Sequence, residues 1–379
     1  MKTTLIFDAE LRGHHLEYLH HLYMGYSTHT DQKIIFILHK DFLLVKNRLY
    51  WPEYEHIQFD FFNTDINEDF SFIGKITTSY NLSKLVKKYV KMYNAESVFF
   101  IFLMSFIPWL PFLLPSKVSV SGILYRVYLF DWEQYNLLQK VAEILRFSLL
   151  RFSKCISKIY VLNSRSCTRT LNKIWKCNKF HYLPDPFVKL ECVEKIWKDG
   201  STIPSNKKIL LHFGSLMRRK GTLEILDSIQ YFNESDRGTY VFVFAGKVDR
   251  EIKREFYEKL AVYKDKVQIL VYDEFCSFEF ISALVESSAC VLMPYFNTSQ
   301  SSGLLGYAIQ FAKPVIVPQK GMLAKITKES YNGIYLNSIS PKEIYHSIQQ
   351  VKQFKVDGEL CNLYIATHGV DEFVRVICD

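Results

Sequence analysis

Residues 294–318 read PYFNTSQSSGLLGYAIQFAKPVIVP, and the succession of residue types in them decides the fold class. The run just before, Ala289-Cys290-Val291-Leu292-Met293, is uninterruptedly apolar, as a strand covered on both faces of a parallel sheet must be. A polar loop follows, Asn297 to Gly303, and then Leu304, Leu305, Ala308, Ile309 and Phe311 recur at helical spacing. Pro314 ends that helix, because its ring removes an N–H and crowds the preceding turn, and Val315-Ile316-Val317 is the next strand. Strand, Ser/Gly loop, helix, strand is the repeating unit of an α/β parallel sheet. The loop delivers Ser301, Ser302 and Gly303 to a helix start, where main-chain N–H groups lack intrahelical acceptors and the dipole favours an anion. Gly303, without a Cβ, lets a ligand approach the backbone. The same residues also suit a plain N-cap, so this stretch alone leaves phosphate binding and capping both open.

A second stretch has the same form. Lys208-Ile209-Leu210-Leu211-His212-Phe213 reads as a strand and runs into Gly214-Ser215-Leu216-Met217-Arg218-Arg219-Lys220-Gly221. Thr222 is then expected to cap a helix carrying Leu223, Leu226 and Ile229. A glycine turn, a basic cluster and a helix start make an anion-shaped corner. Arg219 can meet a diphosphate as a planar fork and Lys220 as a point charge. A solvated basic turn is the alternative.

Together these stretches resemble the nucleotide-sugar half of GT-B glycosyltransferases, in particular glycosyltransferase family 4. Gly214, Leu216, Lys220 and Gly221 fit that family's G-x-L-x-x-x-K-G turn, and Ala312-Lys313-Pro314-Val315-Ile316 fits its small residue followed by K-P-V and a strand. Between them, Phe242 to Lys247 is similar to its central strand ending in glycine, and Val267 to Asp273 to the strand near which the nucleotide base sits. The order and spacing of four pieces are more specific than any one of them. The resemblance implies donor-binding roles for Gly214, Arg219, Lys220, Tyr272, Ser301, Ser302, Gly303 and Leu304, with Arg219 and Lys220 also serving catalysis. It implies no cofactor and no metal. One departure stands out. Where many members carry two glutamates, this chain has Ser299 and Tyr307. S-S-G-L-L-G-Y-A resembles a variant whose main-chain amides hold the diphosphate, and the departure leaves retention or inversion of the anomeric configuration open.

The remaining composition sets bounds. The chain has 379 residues, enough for two domains, and is 49% hydrophobic and 16% aromatic. Its 47 Lys and Arg against 39 Asp and Glu leave a modest charge of +8. Eight cysteines are scattered singly, with no C-x-x-C and no zinc spacing, which fits a reducing cytosol. No secretory signal is read at the start, since the first apolar run is short and meets Asp8. Val98 to Leu114 is uncharged and nearly of membrane-spanning length. Pro108 and Pro111 favour a strand followed by an apolar loop and a short helix.

Thr3 to Phe7 is the first strand. Asp8-Ala9-Glu10-Leu11-Arg12-Gly13-His14-His15 leads from it into a helix with Leu16, Leu19, Leu22 and Tyr23. A strand opening through glycine into a helix lines the crevice of a doubly wound sheet. The family often places G-H at this loop, so the resemblance puts Gly13, His14 and His15 on the acceptor side, with one of the two histidines in a catalytic position. Val118 to Arg126 resembles a strand and turn bordering the acceptor cleft, and Arg126 there can meet an acidic group. Further strands are expected at Lys33–His39, Gln58–Phe62, Ser97–Phe102 and Ser157–Asn163, with a basic amphipathic helix at Asn81–Tyr93.

Leu137 to His181 holds ten Lys or Arg and one acid, Glu143. Leu138, Val141, Ile144, Leu145, Leu149 and Phe152 recur there at helical spacing among Lys140, Arg146, Arg151 and Lys154. Such a helix either lies on an anionic membrane or packs into the core with a solvated basic face. No nucleic-acid signature accompanies the charge, and no nucleic-acid partner is expected.

The expected architecture is therefore α/β and GT-B: two facing Rossmann-like domains with parallel sheets and a C-terminal helix crossing back. The boundaries are 1–184 for the acceptor-side domain, 185–360 for the nucleotide-sugar domain, and 361–379 for the returning helix, with Leu183-Pro184-Asp185-Pro186 as the linker. The expected activity is metal-independent glycosyl transfer from a nucleotide sugar to a glycan or lipid-linked glycan in bacterial surface polysaccharide synthesis. It is placed in the cytoplasm, at the inner face of the membrane. A GT-B epimerase or phosphorylase is an alternative. So is a non-catalytic membrane- or nucleic-acid-binding protein on the same scaffold.

Overall fold

In the computed structural model, the central strands form where apolar residues run together, because such runs bury both faces of a parallel strand. The structure describes residues 2–10, 15–63, 72–125, 127–130, 132–133, 135–187, 206–296 and 302–378. The chain divides into two compact units: residues 1–184 with 370–379, and residues 185–369.

In the first unit, β1 (Lys2–Asp8), β2 (Gln32–His39), β3 (Ile57–Phe62), β4 (Ser97–Phe100), β5 (Ser119–Leu124), β6 (Ile156–Leu162) and β7 (Phe180–Leu183) form a parallel sheet of order β3-β2-β1-β4-β5-β6-β7. Its pairings are all parallel, from Thr4 opposite Ser97 to Leu162 opposite Leu183. One face packs Phe7, Val86, Phe100, Phe106 and Phe147. The other packs Leu19, Leu22, Phe36, Tyr160 and Phe373. Phe373 arrives with the last helix, Val370–Cys378, which lies against helix His15–Tyr26.

The second unit holds β8 (Lys208–Phe213), β9 (Tyr240–Ala245), β10 (Gln268–Tyr272), β11 (Ser288–Leu292), β12 (Val315–Pro318) and β13 (Gly333–Leu336) in the order β10-β9-β8-β11-β12-β13. All six residues of β9 are buried. In each sheet the strand order reverses beside the first strand, between β1 and β4 and between β8 and β11. At such a reversal the loops leaving the two strands diverge to opposite faces and open a crevice at the carboxyl ends.

The differences from the sequence reading have local causes. The helix expected at Asn81–Tyr93 begins earlier, at Phe72. Thr222 is not a side-chain cap: Gly221, in the left-handed region at φ 69°, precedes the helix Thr222–Ser228. The Thr222 hydroxyl turns inward to His212 instead. The chain changes unit at Gly369 rather than at 361, because residue 361 lies inside a helix, Gly358–Thr367, that belongs to the second unit. Cys361 is buried there, with its thiol 3.4 Å from the Ser330 carbonyl. Val98 to Leu114 resolves into β4, a short turn of helix at Leu103–Phe106 and the helix Leu110–Leu113. Among the described residues no helix is long and apolar enough to cross a membrane.

Candidate functional site

The crevice of the second unit is built by the loops that leave β8 and β11, and these are the two stretches singled out in the sequence. Gly214 leaves β8 at φ 84°, a conformation glycine adopts without strain. A Cβ on Gly214 would stand 2.5 Å from Leu304 Cδ1 and 3.1 Å from the Lys220 ammonium. Lys220 and Leu304 thus meet over a backbone with no side chain. Gly214 is pinned in turn to the end of β9: its N–H donates to the Ala245 carbonyl at 2.9 Å, and a Cβ on Gly246 would overlap the Gly214 carbonyl oxygen.

The two loops are stitched together. The Phe296 N–H donates to the Arg219 carbonyl at 2.9 Å, and a Cβ on Gly221 would overlap the Pro294 carbonyl. Lys220 ends a tight turn, Arg218–Lys220, that folds its side chain inward. Its ammonium lies 5.4 Å from the centre of the Tyr295 ring, and the Tyr295 phenol is hydrogen-bonded to Ser302. Burial pushes the phenol well above its ordinary 10.0.

Lys220 is 7% exposed, and among the described residues its ammonium makes no ion pair or hydrogen bond. Burial lowers its pKa from 10.5 to about 8, with the neighbouring Arg219 adding to the effect. Of the adjacent arginines, Arg218 is held by Glu251 at 3.0 Å and Glu255 at 2.8 Å. Arg219 is exposed and pairs with no carboxylate among the described residues. The corner therefore presents one buried cation and one exposed cation with uncommitted charge.

His212, next to last in β8, braces this corner from below. It is fully buried and its pKa is lowered to about 3 by that burial, so the ring is neutral. Nδ1–H donates to the Leu292 carbonyl at 2.8 Å, tying β8 to the end of β11. Nε2 lies 3.0 Å from the Thr222 hydroxyl, which itself donates to the Met217 carbonyl at 3.1 Å, and these contacts fix the helix start beside Lys220. Tyr272 closes β10 buried, edge-on to Phe280 at 4.9 Å, and its hydroxyl has no hydrogen-bond partner among the described residues.

The helix Leu304–Gln310 starts from Gly303 at φ −54° and ψ −25°, a helical conformation open to any residue. No side chain caps it. Tyr307, at one of the positions where a glutamate is common in the resembled family, is buried among Phe187, Phe213 and Phe278.

The crevice of the first unit, beside β1, holds a second constellation. His15 Nδ1 is 2.8 Å from Asp8 Oδ2 and 3.0 Å from Oδ1. Burial raises the pKa of the Asp8 carboxyl, and the His15 ring opposes that rise. A carboxylate accepting from Nδ1–H leaves the lone pair of the neutral ring on Nε2. Tyr125 stacks on His15 at 5.6 Å, and Tyr18 stacks on Tyr125 at 5.9 Å.

Of the residues singled out in the sequence, Gly214, Lys220, Ser302 and Leu304 are brought together, with Gly303 at the helix start and Arg219 on the rim. Tyr272 ends a strand two places away in the sheet. Gly13, His14, Arg126 and Ser301 lie outside the described residues. Sequence reasoning passed over Asp8, His212 and Tyr295. The available signals were a carboxylate ending a strand seven residues before a histidine, and a lone imidazole inside an apolar strand.

No protein-family model and no curated protein matches the sequence. Solved structures do match the fold. Sucrose-phosphate synthase from Thermosynechococcus elongatus superposes with a TM-score of 0.72 at 12% identity, over 100% of this chain and 98% of that one. HepE from Anabaena, solved with UDP and glucose, gives 0.65 at 12%, over 100% and 98%. WaaG, a glycosyltransferase involved in lipopolysaccharide biosynthesis, gives 0.66 at 13%, over 99% of each chain. At such identities the likeness speaks for architecture: the chain has the GT-B fold, two Rossmann-like units with parallel sheets, that glycosyltransferases carry.

Proposed function

We propose that this protein is a glycosyltransferase that moves a sugar from a nucleotide-sugar donor to an acceptor, and that the donor diphosphate binds at Lys220. The observation that carries the proposal is the buried ammonium of Lys220, without a counter-ion among the described residues, where the strand order reverses. A buried cation costs free energy unless an anion joins it, and a crevice at such a reversal is where α/β sheets take ligands. As the glycosidic bond breaks, negative charge gathers on the departing diphosphate. Lys220 and the forked Arg219 stabilise that charge, with main-chain N–H groups from Ser302 to Leu304 beside them, so no metal is assigned to the step. Tyr272 is assigned to the nucleoside end. On the first unit, the Asp8-paired His15 is assigned to acceptor binding. UDP and UDP-glucose in HepE, and lipopolysaccharide biosynthesis for WaaG, support a UDP-sugar donor and a bacterial surface glycan acceptor at the cytoplasmic face.

Calorimetric titration with UDP-, GDP- and dTDP-sugars tests this reading. Saturable binding of at least one is expected, and Lys220→Ala should weaken it by about 10- to 100-fold, the loss of one charge-assisted contact of about 1.5–3 kcal/mol. If wild type binds none of them, or the variant binds equally well, the donor assignment is wrong. The burial of Tyr307 also favours a second reading, a nucleotide-sugar-binding protein without transfer. Binding with no hydrolysis or transfer would select it.

A further inference from the structure

The helix Leu137–Phe152 begins at a reciprocal cap, Asn136 with Gln139, and ends at Ser153. Of its side chains only Phe147 and Leu150 are buried in the first unit. Leu137, Leu138, Val141, Ile144, Leu145 and Phe152 are exposed, Leu138 by 81% and Phe152 by 74%. At 100° per residue these six fall within a single sector of the helix, turned away from Phe147 and Leu150. The apolar periodicity of this helix therefore mostly serves a face that the fold leaves outside. The face continues onto a neighbouring element. Phe112 is 68% exposed and borders, with Phe152, an open hollow of about 320 Å³.

The charges at the margin are of one sign. Lys154 and Ser116 line the same hollow, Lys117 follows Ser116, and the Ser119 hydroxyl meets that of Ser157, next to Lys158, at 2.9 Å. Lys117, Lys154 and Lys158 are exposed and pair with no carboxylate among the described residues. The one acid of the helix, Glu143, is taken up by Arg146 at 2.7 Å. A wide apolar stripe edged by unpaired lysines matches a surface with an apolar interior and anionic headgroups. A second copy of the chain would bring the same cations to the interface and meet them with repulsion.

We propose that this face lies on an anionic lipid bilayer, with the apolar stripe of the Leu137 helix and Phe112 at the acyl boundary and Lys117, Lys154 and Lys158 among the headgroups. The proposal stands apart from the donor assignment, since the residues belong to the other unit.

Flotation with vesicles of phosphatidylcholine and phosphatidylglycerol tests it on the full chain. Wild type is expected to float, less as salt rises, and far less with phosphatidylcholine alone. Leu138→Glu/Leu145→Glu should lower partitioning by at least about tenfold, and Lys117→Glu/Lys154→Glu by several-fold. The altered residues are exposed, so unchanged melting and unchanged nucleotide-sugar binding are expected in both variants. Failure of wild type to float overturns the proposal, as does undiminished flotation of the Leu138/Leu145 variant. So does light scattering that finds a wild-type dimer, split by that variant, in place of lipid binding.

Discussion

Lys220 is held charged at a cost to the empty protein. With its pKa lowered from 10.5 to about 8, the folded chain gives up on the order of 3 kcal/mol at neutral pH to keep this ammonium protonated. Lys220→Met, which fills the same space without charge, should therefore raise the melting temperature of the nucleotide-free protein at pH 7 while removing donor binding. Between pH 8 and 10.5 the unfolded chain binds a proton that the folded chain has released. Wild-type stability should rise across that window and the gap to the variant should close. Donor affinity should move the other way, falling by up to about tenfold per pH unit above 8, as the ammonium is lost. Melting curves and calorimetry from pH 7 to 10.5 check both, and a variant no more stable than wild type refutes the buried-charge account. Lys220 and Gly214 were legible in the sequence because a short turn contains both. His212 and Tyr295 were not, since what they do depends on partners brought close only by the sheet, such as Leu292, 80 residues beyond His212.

At the scale of elements, β8 and β11 are joined through His212, whose ring is kept neutral by its burial. Between pH 6.5, its ordinary value, and about 3 the unfolded chain takes up a proton that the folded one excludes. Stability from this residue is whole above pH 6.5 and is lost as pH falls, by at most about 1.4 kcal/mol per pH unit. His212→Gln should flatten that slope in denaturant midpoints measured from pH 4 to 7; an unchanged slope would assign the acid sensitivity to other groups. The strands were readable because a doubly covered strand must be apolar throughout, as β9 is. Helix faces were less so. The spacing from Leu138 to Phe152 announces a stripe but not its partner, and here the core takes Phe147 and Leu150 while the wider stripe stays outside. Periodicity records which residues share a side; only packing tells whether that side is covered.

For the whole molecule, the parallel sheets and the returning helix follow from patterns in the sequence, while the residue at which the chain changes unit does not. Residues 361 and 370 both lie in helices, and the burial of Cys361 and Tyr364 in one unit and of Phe373 and Ile377 in the other separates them. Phe373 packs 5.1 Å from Tyr18, and the Tyr160 hydroxyl donates to the Val376 carbonyl at 3.3 Å. A chain cut after Gly369 should lose about 3–5 kcal/mol from the first unit, comparable to deleting one large buried side chain. Hydrogen exchange should then report lost protection in β1 and β2 with β8 to β12 unchanged; equal protection in both would mean that the last helix is dispensable. This route through the fold also orders its assembly in the cell. Residues 1–184 leave the ribosome before the second unit, yet the segment that covers Tyr18 is translated only after the whole of that unit. The first unit to be made is thus the second to be finished, and its uncovered groove must be kept from other chains for as long as translation takes to reach Val370.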